Sequence, residues 1–206
     1  MFKIESPKIK NTIVSEFDTD KESYDHSVFS NTTFEDLNYK IDFNSCVFEN
    51  IDFNNKKLDG FVFYNCLFKN CDFSNSHFDN VGFNRCLYEN CKFVGAYITD
   101  SNLKHIIFSE CTFKYSQISS TKITNVSFDY IDFTNSSLSE IKLKNTLFNE
   151  CNFLQTDFYQ TSLKGIDLSN CTIKNIRANL TDVIGCKVNS FQAVILVQML
   201  GIEVVL

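Results

Sequence analysis

From Phe43 to Ile173 every fifth residue is large and apolar, without exception: Phe43, Phe48, Phe53, Leu58, Phe63, Phe68, Phe73, Phe78, Phe83, Tyr88, Phe93 and onward through Phe158, Leu163 and Leu168. An amphipathic helix repeats every 3.6 residues and a strand every 2, so neither can hold this phase over such a length. Only a coil whose turn is a multiple of five residues does. Two residues before each step runs a second column of mostly small or β-branched residues, among them Cys46, Ile51, Cys66, Cys71, Ser76, Val81, Cys86, Cys91, Ala96, Cys111, Cys151 and Cys171. All 9 cysteines, Cys186 included, fall in it. A solenoid with this pattern buries two positions in five and exposes three.

The predicted interior therefore contains Phe68, Phe73, Phe78, Phe83 and Phe93 together with Cys66, Cys71, Cys86, Cys91 and Cys111. Cysteines such as Cys71, Cys91 and Cys111 would stack one coil apart, about 4.8 Å. A disulfide is not excluded by that spacing, but thiols pointing inward along parallel vectors are better described as small buried hydrophobes with weak S–H donors. The spacings, all multiples of five, lack the short-range pairs of a zinc site, and no nucleophile elbow or phosphate loop occurs. His26, His77 and His105 stand outside any metal or nucleophile motif. The reading is of a protein that is not an enzyme, with no catalytic residue, metal or cofactor. MFKIESPKIKNT has no apolar h-region behind its basic residues, and no apolar run approaches roughly 18 residues, which points to a soluble cytoplasmic protein with reduced thiols.

Upstream, Tyr24, Phe29, Phe34 and Tyr39 keep the step, but Tyr39 to Phe43 is four residues, so the phase slips once. The expected organisation is an N-terminal cap over 1–22, a short N-terminal β-helix subdomain over 23–40, the main repeat over 41–186 and a C-terminal element over 187–206. After Ile173 the columns fail at Ala178, and 179–182 reads as a turn. In KVNSFQAVILVQMLGIEVVL, Asn189 or Ser190 serves as N-cap for a helix from about Phe191 to Leu200, Gly201 stops it, and 202–206 forms a short strand. That helix is apolar on nearly every side, more than one packing face requires, so burial in a second copy is expected. The predicted dimer interface is Phe191, Val194, Ile195, Val197, Gln198, Met199, Leu200, Ile202 and Val204.

The two columns, in stretches such as CDFSN, CKFVG, CNFLQ and TDFYQ, resemble the pentapeptide-repeat family over at least 41–176. The resemblance implies an all-β fold, a right-handed quadrilateral parallel β-helix in which four pentapeptides make one square coil, capped by a short C-terminal helix. The Phe-rich central column, the N-terminal break and the apolar tail ending LGIEVVL are similar to the fluoroquinolone-resistance branch, the Qnr-type and mycobacterial proteins. That branch implies a rod-shaped dimer formed through the tail. It also implies binding to DNA gyrase or topoisomerase IV, protection of the enzyme from quinolones, and imitation of duplex DNA. The repeat runs unbroken, without the loop insertions that plasmid-borne Qnr proteins use, and is more similar to the chromosomal proteins of Gram-positive bacteria.

Sorted at twenty residues per coil, the outward charges segregate. The first face, centred on Phe43, Phe63 and Phe83 through Leu163, carries Arg85, Lys104, Lys122, Lys142, Lys144 and Lys164 against Asp42. The second, centred on Phe48 through Leu168, carries Glu49, Glu89, Glu110, Asp129, Glu150 and Asp167 against Lys69. The third, centred on Phe53 through Ile173, is balanced but stacks Asp52 and Asp72. The fourth, centred on Leu58 through Phe158, carries Asp59, Asp79, Asp100, Glu140 and Asp157 against Lys57. The expected partner-binding residues are Glu49, Asp59, Asp72, Asp79, Glu89, Asp100, Glu110, Asp129, Glu140, Glu150 and Asp157, with no direct nucleic-acid binding and no membrane contact. A chain of net charge −6 gives a dimer of twice that, −12, spread over roughly 80 to 100 Å at about 4.8 Å per coil. Duplex DNA carries one charge per ~1.7 Å, so any imitation rests on faces and not on net charge. Two alternatives stand beside it: ordinary solvated faces of a mildly acidic protein, and an interaction solenoid with another protein partner. An apolar ladder, Val47, Leu67, Leu87, Ile107 and Leu147, interrupted by Ser127, runs up the second face as a contact surface or as the seat of another chain segment.

Overall fold

The protein is described from a computed structural model covering residues 9, 17, 18, 21–31, 34, 40–199 and 201–205. It is a right-handed quadrilateral parallel β-helix, the hand expected wherever parallel strands are joined by crossovers. Each residue lies beside the residue twenty positions on, as in Asp42↔Val62 and Val62↔Gly82, and all strand pairs are parallel. The first two faces are strands throughout much of the rod. In the coils holding Asn102–Ser109, Lys122–Asp129 and Lys142–Asn149 they fuse into eight-residue strands that run around the corner between them. The fourth face contributes the strands His77–Asp79, Tyr97–Thr99, Gln117–Ser119 and Ser137–Ser139. The third face is held by single bridges, Asp52↔Asp72, Asp72↔Lys92, Lys92↔Thr112, Thr112↔Asp132 and Asp132↔Asn152.

The interior is the two predicted columns. The central rings stack nearly parallel from coil to coil: Phe48 on Phe68 at 4.6 Å, Phe68 on Tyr88 at 4.5 Å, Phe73 on Phe93 at 4.8 Å and Phe93 on Phe113 at 4.4 Å. Neighbouring ladders meet edge to face, as Phe108 does Phe113 at 86°, so each ring has both favoured aromatic geometries. The eight buried thiols lie in the second column, each donating to a backbone carbonyl one coil below. Cys66 Sγ reaches Phe43 O at 3.5 Å and Cys91 Sγ reaches Phe68 O at 3.6 Å. Serine and threonine take over the role elsewhere: Thr156 Oγ1 donates to Phe133 O and Thr161 Oγ1 to Leu138 O, both at 2.8 Å. Cysteine, serine and threonine share the column because each is a small donor that fits beneath a carbonyl.

A third column turns the corners. Two residues after most positions of the central column the backbone takes positive φ: Asn50 (55°), Asn70 (52°), Asn90 (52°), Asn125 (56°) and Asn145 (50°), with Gly60, Gly95 and Gly165 at others. Asparagine and glycine enter this region at least cost. The exposed asparagines also bond to one another up the rod, Asn50 to Asn31 at 2.9 Å and Asn90 to Asn70 at 2.8 Å. Tyr115, Tyr130, Glu110, Glu140 and Glu150 hold the same conformation without that advantage.

The slip between Tyr39 and Phe43 appears as one short coil. Ser23 pairs with Asp42 and Val28 with Val47, nineteen residues on, and the strands Ser23–Asp25 and Val28–Ser30 continue the same stack. Phe17 lies on Phe29 at 4.2 Å and extends the ring ladder over the open end. Most of the expected cap, and Tyr39, lie outside the described residues. At the other end the coil persists beyond the failure of the columns: Asp167 bridges Lys187, and Leu168 N–H donates to Lys187 O at 2.8 Å.

The helix spans Ser190–Gln198, with Asn189 as N-cap in a reciprocal box with Gln192. Gln192 is the buried residue of the helix, and its Nε2 donates to Leu168 O at 2.8 Å and Cys171 O at 2.6 Å, while Asn189 Nδ2 donates to Ser169 O. Two amides thus pin the helix to carbonyls at the end of the coil, where Leu168 O also accepts from Cys171 N–H at 2.9 Å. The expected terminal strand is not formed: 202–205 pairs with no strand among the described residues.

Candidate interaction surface

The predicted acidic residues all stand on the outside, but they do not form one continuous stripe. Glu49, Glu89 and Asp129 share a column on the second face, with Lys69 and Ser109 between them. Glu110 and Glu150 occupy the next corner on either side of Tyr130, and Asp100 and Glu140 the corner between the fourth and first faces. Asp59 and Asp79 are adjacent rungs; Asp79 N–H donates to Asp59 Oδ1 at 2.9 Å. Two candidates are largely neutralised across coils, Glu89 by Lys69 at 3.3 Å and Asp72 by Lys92 at 3.7 Å.

Asp72 and Asp157 have a local duty as well. Asp72 accepts from Ser74 N–H and Asp157 from Tyr159 N–H, both at 2.9 Å, and Asp52, Asp132 and Asp167 do the same two residues on. These are Asx turns, in which the carboxylate replaces a backbone acceptor at the bend. Burial pushes the Asp132 carboxyl up, but the Thr134 hydrogen bonds and Lys114, 3.0 Å away, outweigh it and hold the group below the usual range. Asp167 is likewise lowered, chiefly by Ser169. Glu49, Asp59, Asp79, Asp100, Glu110, Glu140 and Glu150 remain exposed carboxylates.

Among the described residues no group of His, Cys, Asp and Glu is placed to hold a metal. Eight cysteines are buried and free, with Cys186 half-buried. Burial pushes the Cys66 and Cys91 thiols, and the Tyr88 phenol, well above their ordinary values. An apolar void where Ile118, Ile123, Leu138 and Leu143 replace phenylalanine amounts to about 10 Å³, room for little more than one water. Among the described residues no helix is long and apolar enough to cross a membrane.

At the C-terminus Phe191 is 84% exposed and Ile202 51%. Val194, Ile195, Val197 and Met199 are half-buried, Gln198 is exposed, Val204 is half-buried, and Leu200 lies outside the described residues. Ile195, Leu196 and Met199 rest on the core, leaving Phe191 without cover. The predicted apolar ladder is in register, Val47↔Leu67↔Leu87↔Ile107, and Val28 extends it downward.

Family models match along the rod. A model described as pentapeptide repeat region covers residues 61–130, and one described as pentapeptide repeats (8 copies) covers 136–175. Together they span more than half of the chain. It belongs to the pentapeptide-repeat proteins. Among solved structures this pentapeptide-repeat protein is similar to QnrB1, a plasmid-mediated fluoroquinolone-resistance protein, at 18% identity over 89% of this chain and 99% of that one, with a TM-score of 0.47. HetL, involved in heterocyst differentiation regulation in the cyanobacterium Nostoc, matches at 13% identity over 76% and 88%, TM-score 0.47. A pentapeptide-repeat protein of the Arabidopsis thaliana thylakoid lumen matches at 20% over 55% and 69%, TM-score 0.26. A search of curated protein sequences finds no significant match.

Proposed function

We propose that this pentapeptide-repeat protein is a non-enzymatic cytoplasmic rod that binds DNA gyrase or topoisomerase IV and protects it from quinolones by partial imitation of duplex DNA. The observation that supports this most is the array of exposed carboxylates, Glu49, Asp59, Asp79, Asp100, Glu110, Glu140 and Glu150, on a rigid square coil. A stiff scaffold pays little ordering entropy when such charges meet a cationic surface, and complementary charge steers the encounter. The uncovered Phe191 and the uncharged helix behind it support a two-fold dimer that doubles the rod. The fluoroquinolone-resistance role of QnrB1 is in keeping with the reading.

A second reading, an interaction solenoid with another protein partner, draws on the pairs Lys69–Glu89 and Asp72–Lys92, which dilute the acidic faces. Gyrase supercoiling and drug-induced DNA cleavage in ciprofloxacin, titrated with the protein, separate the two. Restored supercoiling or reduced cleavage at micromolar protein is the expected result; no effect on either favours the second reading.

A further inference from the structure

Three lysines on the second and third faces sit beside acids one coil away: Lys69 with Glu89, Lys92 with Asp72, Lys114 with Asp132. The lysines of the first face from Lys104 to Lys164 do not. Lys104, Lys122, Lys142, Lys144 and Lys164 are all exposed, and among the described residues none has an ion-pair partner. Lys122 and Lys142 are directly opposite in adjacent strands, and Lys104 and Lys144 are separated only by Thr124 in the same column. Like charges facing one another across strands are destabilising, and the fused strands Lys122–Asp129 and Lys142–Asn149 hold them in place. The acids Asp100 and Glu140 stand at the corner with the fourth face.

We propose that this lysine face is a docking surface for the phosphodiester backbone of duplex DNA. Its columns lie about 7 Å apart and its rungs about 4.8 Å, so several ammonium groups can reach successive phosphates of one strand. The side chains between them are Asn102, His105, Thr124, Asn125, Asn145 and Ser162, hydrogen-bonding groups with no apolar anchor. Protein interfaces have an apolar, aromatic core and are depleted in lysine, whereas nucleic-acid interfaces are polar and strongly positive. Single-strand binding uses aromatic stacking platforms, and no phenylalanine, tyrosine or tryptophan side chain projects outward on this face from Asn102 to Lys164. Membrane-surface binding needs inserted apolar groups, and those too are missing from it. The proposal stands apart from the topoisomerase reading, because it concerns the face that carries no carboxylate from Asn102 to Lys164; it sets aside the expectation that no surface of the chain meets nucleic acid.

Anisotropy of a labelled duplex of about 30 base pairs, followed across about 50 to 200 mM salt, tests it. Wild type should bind at micromolar concentration in low salt, with a log–log salt slope between about −3.6 and −4.5, as four or five phosphate contacts require. The Lys122→Gln, Lys142→Gln, Lys144→Gln triple variant should bind at least about tenfold more weakly with the slope roughly halved, while Lys174→Gln on the third face binds as wild type. Thermal melts no lower than wild type show that the triple variant folds. Absence of binding in low salt, or equal binding by the triple variant, overturns the proposal. So does tighter binding to polyglutamate or to anionic lipid vesicles with the same sensitivity to the triple substitution, which would assign the face to an acidic protein or a membrane.

Discussion

At the scale of single residues the square coil is a set of repeated demands, and the places where the sequence departs from them are measurable. The corner position asks for positive φ, and Tyr130 meets it at 58° with a ring 60% exposed. A left-handed conformation costs a residue with a Cβ roughly 1–2 kcal/mol, and asparagine least. Tyr130→Asn should therefore stabilise by about 1 kcal/mol, seen as a melting temperature higher by about 2–4 °C for a chain of this size. Tyr88 is the hydroxyl in a ladder of phenylalanines, and its Oη is buried without a hydrogen-bond partner. An unsatisfied buried hydroxyl costs about 1–3 kcal/mol, so Tyr88→Phe should also raise the melting temperature, and a fall would show that the hydroxyl has a use. The thiols supply a test by pH. Cys66 and Cys91 are raised in the folded state by burial, so their contribution is complete below the ordinary thiol pKa of about 8.5 and is lost as pH climbs beyond it. Chemical denaturation at rising pH should show stability declining above about pH 8.5–9, with a shallower decline in Cys66→Ala, Cys91→Ala.

At the scale of elements, the two buried columns were legible because each depends on nothing but spacing: a ring every fifth residue and a small donor two before it. The corners were legible in principle, since Asn50, Asn70 and Asn90 recur at the same step, but their signal is conformational and carries no hydropathy. The duties of Asp72 and Asp157 were hidden, because an Asx turn and a charged contact look the same until the backbone two residues on is placed. The ion pairs of Glu89 and Asp72 needed both the coil length and the rotamers. Gln192 was missed because its partners, Leu168 O and Cys171 O, become neighbours only once the coil has ended. The helix itself was expected, and its exposed Phe191 makes the dimer testable. Phe191→Asp places a carboxylate in the first turn, where it favours the helix, and removes the apolar anchor. Light scattering should show wild type at twice the chain mass of 23.8 kDa and the variant at one chain mass, with circular dichroism unchanged. Identical masses would remove Phe191 from the interface.

At the scale of the whole molecule, the rod separates its charges by face: carboxylates on the second and fourth, lysines on the first, and a third face whose opposite charges pair with each other. One stiff object can thus present different electrostatics to different partners without moving. The proposed docking on a topoisomerase assigns recognition to exposed carboxylates and not to the apolar ladder of Val47, Leu67, Leu87 and Ile107. That distinction is measured by the Kd of gyrase for the wild-type rod and for a variant carrying Asp59→Asn, Asp79→Asn, Glu110→Gln and Glu150→Gln, four positions free of ion pairs among the described residues. Loss of four charges at a complementary surface should weaken binding at least about tenfold and flatten its salt dependence. Binding of equal strength by the two proteins would contradict the account.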